Sequence, residues 1–347
     1  MDANTSDAKK IYIEFLRIIA AFLVIVNHTN SNIFLGRTPS LTWVCSLAFF
    51  FVSKIAVPVF LLIMGGLMLG KEDTPQKTWA RLRRILVVIV FSGLFYYVYF
   101  SHTTGTPLEL WRFPLALFQK PRTVAFWYLY VYVALLCMLP ILQKLVKALN
   151  RRQLEYLLIF SLVVTGTPPL LTAFFPEVRL SEYFTMGLIG PYIGLALMGY
   201  YIERYVPMKR SVFWGAFVSF VLLIAFQVGG TYLLYQRDPS SYLALDDRTM
   251  ITTVASAVAF YICVKYLFTQ HPPAPLLGNT ICHVGKLTLG VYLLSDVIRF
   301  ETYFIYSTLA GSMHPLAAVV LWDLFIFATG ALITALLRLI PFLRKWL

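Results

Sequence analysis

Charge is what this sequence has least of. Asp, Glu, Lys and Arg make up 13% of its 347 residues, while 59% are hydrophobic. A soluble domain of this length needs far more polar surface, so the chain is read as a polytopic membrane protein. Acids are the scarcer sign, 16 against 29 bases, which leaves a net charge of +13. That excess does not point to nucleic acid, because Lys and Arg of membrane proteins collect in the loops on one side of the bilayer. Cys45, Cys137, Cys263 and Cys282 lie in or beside apolar runs. Their spacing fits neither a disulfide framework nor a metal site, and no metal is expected. No cleavable leader is expected either: the first apolar run is full-length and no small-residue cleavage site follows it. There is no internal repeat and no Gly/Ser-rich or Pro-rich linker, so one domain is expected over 1–347, with no appended soluble domain.

What is there is a series of long apolar runs, near 11–30, 44–69, 85–101, 125–143, 154–175, 184–203, 211–235, 250–269, 286–309 and 315–340. They predict an all-α integral membrane bundle of about ten transmembrane helices. With the N-terminus inside, nineteen Lys and Arg fall in inner segments and seven, including Arg37 and Arg179, in outer ones. The bias predicts both termini on the cytoplasmic side of a multi-pass protein of the cell membrane. Pro58 predicts a kink in the second run, and Pro168-Pro169 either breaks the fifth or marks its outer end. Gly65-Gly66 and the Gly187, Gly190, Gly194 and Gly199 series permit close helix packing.

The first run carries three ionisable residues, Glu14, Arg17 and His28. Such groups are costly in a bilayer and read as functional. Eleven residues separate Arg17 from His28, almost three turns, so both project from one face, roughly 16 Å apart along the axis. Glu14 sits one turn from Arg17, where opposite charges pair. The stripe between passes Ala20, Ala21 and Val24 and suits a long ligand with an anionic head. Elsewhere Lys54 requires a partner or an aqueous cavity, unless it snorkels outward. Asp296 and Arg299, at i,i+3 with Tyr292 one turn before, form either a functional face or a structural ion pair. Trp127 and Tyr128 open an aromatic cluster that suits either the membrane interface or a sugar. The loop from Asp238 to Arg248 either meets an acceptor or is simply solvated.

Glu14-x2-Arg17-x10-His28 in a first membrane run resembles the signature of the acyltransferase-3 family, polytopic membrane O-acyltransferases of cell-surface carbohydrates. Its members read Leu-Asp-x-Leu-Arg before an apolar run ending in His; here Glu14 replaces Asp. Val57-Pro58-Val59-Phe60 resembles another family run, with Met64 where Ser is common. Arg81-x2-Arg84 resembles the family's Arg pair before its third span. Trp127-Tyr128-Leu129 and Gly290-Val-Tyr292-Leu are similar to further family runs, with Ser295 where the family often has His. The resemblance implies transfer of an acyl group, expected to be acetyl, from acetyl-coenzyme A to a hydroxyl of an extracytoplasmic or lipid-linked sugar. It implies donor phosphates at Arg17, Arg81 and Arg84, where Arg forks suit bidentate contacts. It implies His28 as general base or transient acyl carrier, oriented by Asp296 or Glu14. Trp127, Tyr128, Tyr292 and Arg299 are the expected substrate contacts. The partners expected are then acyl-coenzyme A, a carbohydrate acceptor and the lipid bilayer, without nucleic acid. A secondary transporter or flippase of a polysaccharide-export system is the rival reading, and a structural subunit of such a system a third.

Overall fold

A computed structural model describes residues 3–35, 38–178 and 190–347. The regular elements among them are all helices. Eight are long and apolar enough to cross a membrane, and nine if one bent pair counts as a single span. Arg37, Arg179, Gly187 and the start of the expected 184–203 run lie outside the described residues; the described remainder of that run is a helix, Pro191–Tyr205.

Helix α1, Ala3–Thr29, is the hub. Around it stand α2 (Leu41–Ser53), α3 (Ala56–Met68), α4 (Pro75–Thr104), α5 (Trp127–Ala148), α6 (Arg151–Ser161), α7 (Thr167–Phe174), α8 (Pro191–Tyr205), α9 (Arg210–Arg237), α10 (Ile251–Gln270), α11 (Pro275–Gly285), α12 (Thr288–Glu301), α13 (Tyr303–Ser312), α14 (Pro315–Leu337) and α15 (Pro341–Arg344). α1 packs directly against α2, α3, α10, α11, α12 and α14. Its faces between Leu16 and Val26 are largely buried. The outer helices differ: α9 presents Phe217, Val218, Val221, Leu222 and Phe226 outward, as a lipid-facing helix does.

Prolines and glycines locate the irregularities. α2 and α3 separate at Lys54-Ile55. Pro58 accounts for the position, because its ring clashes with the carbonyl four residues earlier, which is that of Lys54. Pro168-Pro169 does not end its span: a π-turn over Leu162–Gly166 absorbs the missing donors, and the span runs Arg151–Phe174. α3 and α8 cross at backbone contact, where a Cβ on Gly65 would lie 1.7 Å from the Ala196 carbonyl oxygen. Only a residue without a side chain fits there.

Two expected boundaries are corrected. The third run starts about ten residues before 85: the Thr74 hydroxyl accepts from the Lys77 N–H, Pro75 opens the helix, and Arg81 and Arg84 are helical rather than in a loop. The ninth run is not one straight helix over 286–309. It is the pair α11 and α12, bent by 57°, followed by α13. Lys265, counted with the inner segments, is instead buried in α10, its Nζ 3.3 Å from Glu203 and 3.1 Å from the Ile202 carbonyl oxygen.

Candidate active site

The hub helix carries its polar residues at two ends, and a cavity opens at each. The first, about 610 Å³, lies at the end bearing Glu14 and Arg17. Arg17 Nη1 donates to Glu14 Oε1 at 2.6 Å. The Glu14 carboxylate rests on the break between α11 and α12, where a Cβ on Gly285 would lie 2.4 Å from Glu14 Oε2. Arg17, Arg81, Arg84, Lys286, Arg338, Arg344 and Lys345 give this cavity a basic wall, and Glu14 is its acid.

The two arginines of α4 have different surroundings. Arg81 grips Asp73 with both terminal nitrogens, one at 3.1 Å and the other closer. Asp73 also accepts from Gln143 Nε2 at 2.9 Å. The Arg81 hydrogen bond holds the Asp73 carboxyl below its ordinary titration range. Arg84 has no Asp or Glu partner among the described residues. Its Nε donates to the Trp346 carbonyl at 3.2 Å and its Nη2 to a main-chain oxygen of Leu347 at 3.3 Å.

The second cavity, about 290 Å³, holds His28 with Asn27, Lys54, Trp127, Asp246 and Arg248. Lys54 Nζ pairs with Asp246 Oδ1 at 2.5 Å and lies 4.0 Å above the Phe50 ring. Burial pushes the Asp246 carboxyl above its ordinary range, and the Lys54 ammonium works against that rise. The Arg248 guanidinium lies over the Trp127 ring at 4.2 Å. Asp296, bonded to Arg299 Nη2 at 3.0 Å, acts electrostatically on the His28 ring together with Arg299, Lys54 and Arg248.

Tyr292 lines both cavities. Its hydroxyl donates to the Ala125 carbonyl at 2.5 Å, which fixes the ring as the partition between them. Tyr128 meets that ring edge-on at 6.4 Å on the basic side. A basic chamber, an aromatic neck and an imidazole chamber therefore follow one another along α1. Such a series is suited to an elongated molecule whose anionic end and reactive end lie far apart.

Several expectations are refined by these positions. Asp296 is the carboxylate whose charge acts on His28; Glu14 is fourteen residues away on the same helix, roughly 21 Å at 1.5 Å per residue. The stripe over Ala20 and Ala21 is not an open track, since both are fully buried; the two cavities instead share Tyr292 as lining, with Tyr128 and Phe60 on the basic side. Trp127 and Tyr292 reach the His28 chamber, Tyr128 lines the basic one, and Arg299 stands behind with Asp296.

Other residues went unread. Asp246 and Arg248 enter the imidazole chamber from the loop that sequence alone left open between acceptor contact and solvent. Asp323 is fully buried in α14 and accepts from Thr29 Oγ1 at 2.7 Å, locking the residue after His28 in place. A lone acid in an apolar run was the signal for it.

The chain matches the family model of the Acyl_transf_3 acyltransferase domain over residues 10–339. Neither a search of curated proteins nor one of solved structures gave a match. The family match spans nearly the whole chain and every element that builds the two chambers except α15 and the residues after it, and on it this chain belongs to the acyltransferase-3 family.

Proposed function

We propose that this protein transfers an acyl group, expected to be acetyl, from coenzyme A to a hydroxyl of an extracytoplasmic or lipid-linked sugar. The observation that carries the reading is the meeting of a basic chamber and a His28 chamber at Tyr292. Arg84 and its basic neighbours would take the donor's phosphates by charge-assisted bonds. The pantetheine arm would pass the Tyr292 and Tyr128 rings and bring the thioester to His28. The excess of Lys and Arg in the inner segments favours the basic chamber facing the cytoplasm, where acyl-coenzyme A is made.

In the transfer itself, the neutral His28 imidazole accepts the acceptor hydroxyl's proton as its oxygen attacks the acyl carbon. The carbon–sulfur bond breaks, and the proton passes from the imidazolium to the departing thiolate. Asp296 steadies the imidazolium. The same geometry serves an acyl-imidazole intermediate, in which the imidazole attacks first and the hydroxyl second. Trp127, with Arg248 on its face, and the Lys54–Asp246 pair border the space left for the acceptor.

The test is release of coenzyme A from radiolabelled acetyl-coenzyme A by purified protein with membrane-derived acceptor. Wild type should turn over, and His28→Ala should lose about 10²–10⁴-fold. A loss of under tenfold would remove His28 from the chemistry. The bent pair α11 and α12 favours one rival, because broken helices line the sites of secondary transporters. That reading requires substrate movement with no consumption of thioester.

A further inference from the structure

Some basic residues at this end of the bundle have acidic partners away from the chamber: Lys147 pairs with Glu72, and Arg151 with Glu155 at 2.8 Å. Around the basic chamber, Arg17 is taken by Glu14 and Arg81 by Asp73. That leaves Arg84, Lys286, Arg338, Arg344 and Lys345 on the chamber wall with no Asp or Glu partner among the described residues.

Those five come from separate parts of the chain. Arg84 is on α4 and Lys286 on the break between α11 and α12. Arg338, Arg344 and Lys345 follow α14. Folding brings them together through contacts of its own. Arg338 Nη1 donates to the Lys286 carbonyl at 2.6 Å. The Phe342 ring packs against Phe91 and Trp346 at 6.5 and 6.4 Å. Apolar contacts therefore hold the 341–347 segment over the chamber while its basic side chains line the wall. Charges needed only to set topology gain nothing by converging, since like charges a few ångströms apart repel. A wall of this kind is stabilised by a ligand with several negative charges. The Trp346 carbonyl that accepts from Arg84 Nε is a neutral acceptor, and phosphate oxygens are stronger ones.

We propose that Lys286, Arg338, Arg344 and Lys345 are a clamp for the nucleotide phosphates of the donor, carried chiefly by the 338–347 segment. This rests on the donor reading above. Arg84 exchanges the main-chain oxygens of Trp346 and Leu347 for a phosphate when donor enters, and the segment closes on the nucleotide.

The experiment compares two donors on the full-length protein: acetyl-coenzyme A, and acetyl-pantetheine, which has the same thioester arm without the nucleotide. The readout is the ratio of their kcat/KM values. A charged hydrogen bond is worth about 1.5–3 kcal/mol, so losing even one corresponds to roughly tenfold or more. The triple variant Arg338→Gln/Arg344→Gln/Lys345→Gln should lower the acetyl-coenzyme A to acetyl-pantetheine ratio by at least about tenfold. Arg344→Lys should keep most of it, since charge is retained. An unchanged ratio, whether both donors weaken equally or neither does, would overturn the clamp and leave these residues structural or topogenic. Wild-type protein that turns over neither donor would remove the donor reading and the clamp with it. Wild-type turnover with an unchanged variant ratio removes the clamp alone.

Discussion

Arg81 and Arg84 look equivalent in sequence and should behave differently when changed. The Asp73 side chain is only 4% exposed, while that of Arg81 is 30% exposed. Removing one member of a fully buried pair costs about 3–5 kcal/mol, because the other charge is left uncompensated. A fully exposed pair is worth about 0–1 kcal/mol. The intermediate exposure of Arg81, with Gln143 still donating to Asp73, places Arg81→Gln at about 1–3 kcal/mol of destabilisation. Asp73→Asn in the same chain should return much of that, since the stranded charge is then gone. Arg84→Gln breaks only bonds to main-chain oxygens of Trp346 and Leu347 at an exposed position, and its stability loss should stay under about 1 kcal/mol. The kinetic pattern should be the reverse, with Arg84→Gln raising the KM for acetyl-coenzyme A more than Arg81→Gln in the Asp73→Asn background does. The assays are unfolding in detergent solution and initial rates against donor concentration. The reasoning fails if Arg81→Gln leaves stability unchanged and raises KM as much as Arg84→Gln; Arg81 would then be a phosphate ligand and Asp73 a bystander.

Three further outcomes follow from the same contacts. Asp73 titrates below its ordinary value of 3.8 because of Arg81, so its stabilisation is present above that value and is lost as pH falls through the lower folded one; Asp73→Asn should flatten the acid limb of a melting-temperature profile. Gly285→Ala puts a Cβ 2.4 Å from Glu14 Oε2, so it should displace Glu14, loosen Arg17 and raise the donor KM several-fold. Gly229→Ala, where nothing lies within 4 Å, should leave that KM alone. Lys54→Met strands the half-buried Asp246, and Asp246→Leu added to it should recover stability beyond the single variant, as replacing a whole buried pair does; no recovery in unfolding measurements would mean that the pair is effectively solvated.

Local chemistry was readable from sequence, and long-range chemistry was not. The first span was expected over 11–30 and is Lys10–Thr29, because a hydrophobic run with few charges has little alternative in a bilayer. The early start of α4 was hidden from hydropathy by Lys77, Arg81, Arg83 and Arg84, although Thr74-Pro75 is a good helix-start pair. The bend between α11 and α12 was masked because apolar residues flank Gly285-Lys-Leu on both sides. His28 and Arg17 stood out as charges in a membrane run. Their surroundings did not, since Lys54 meets Asp246 and Arg84 meets Trp346 across separations that no periodicity reports. Asp246 looked like loop charge because its partner lies in another span. The basic residues of 338–347 looked topogenic because their convergence on Lys286 and Arg84 exists only in three dimensions.

The most direct measurement of the central claim is where the donor sits. A cryo-EM structure of the full-length protein with a non-hydrolysable acetyl-coenzyme A analogue should show the nucleotide among Arg84, Arg338 and Lys286. The pantetheine arm should displace or pass the Tyr292 ring, with the acyl group beside His28. Coenzyme A density confined to the outer surface of the bundle, or an acyl group held away from the His28 chamber, would contradict it.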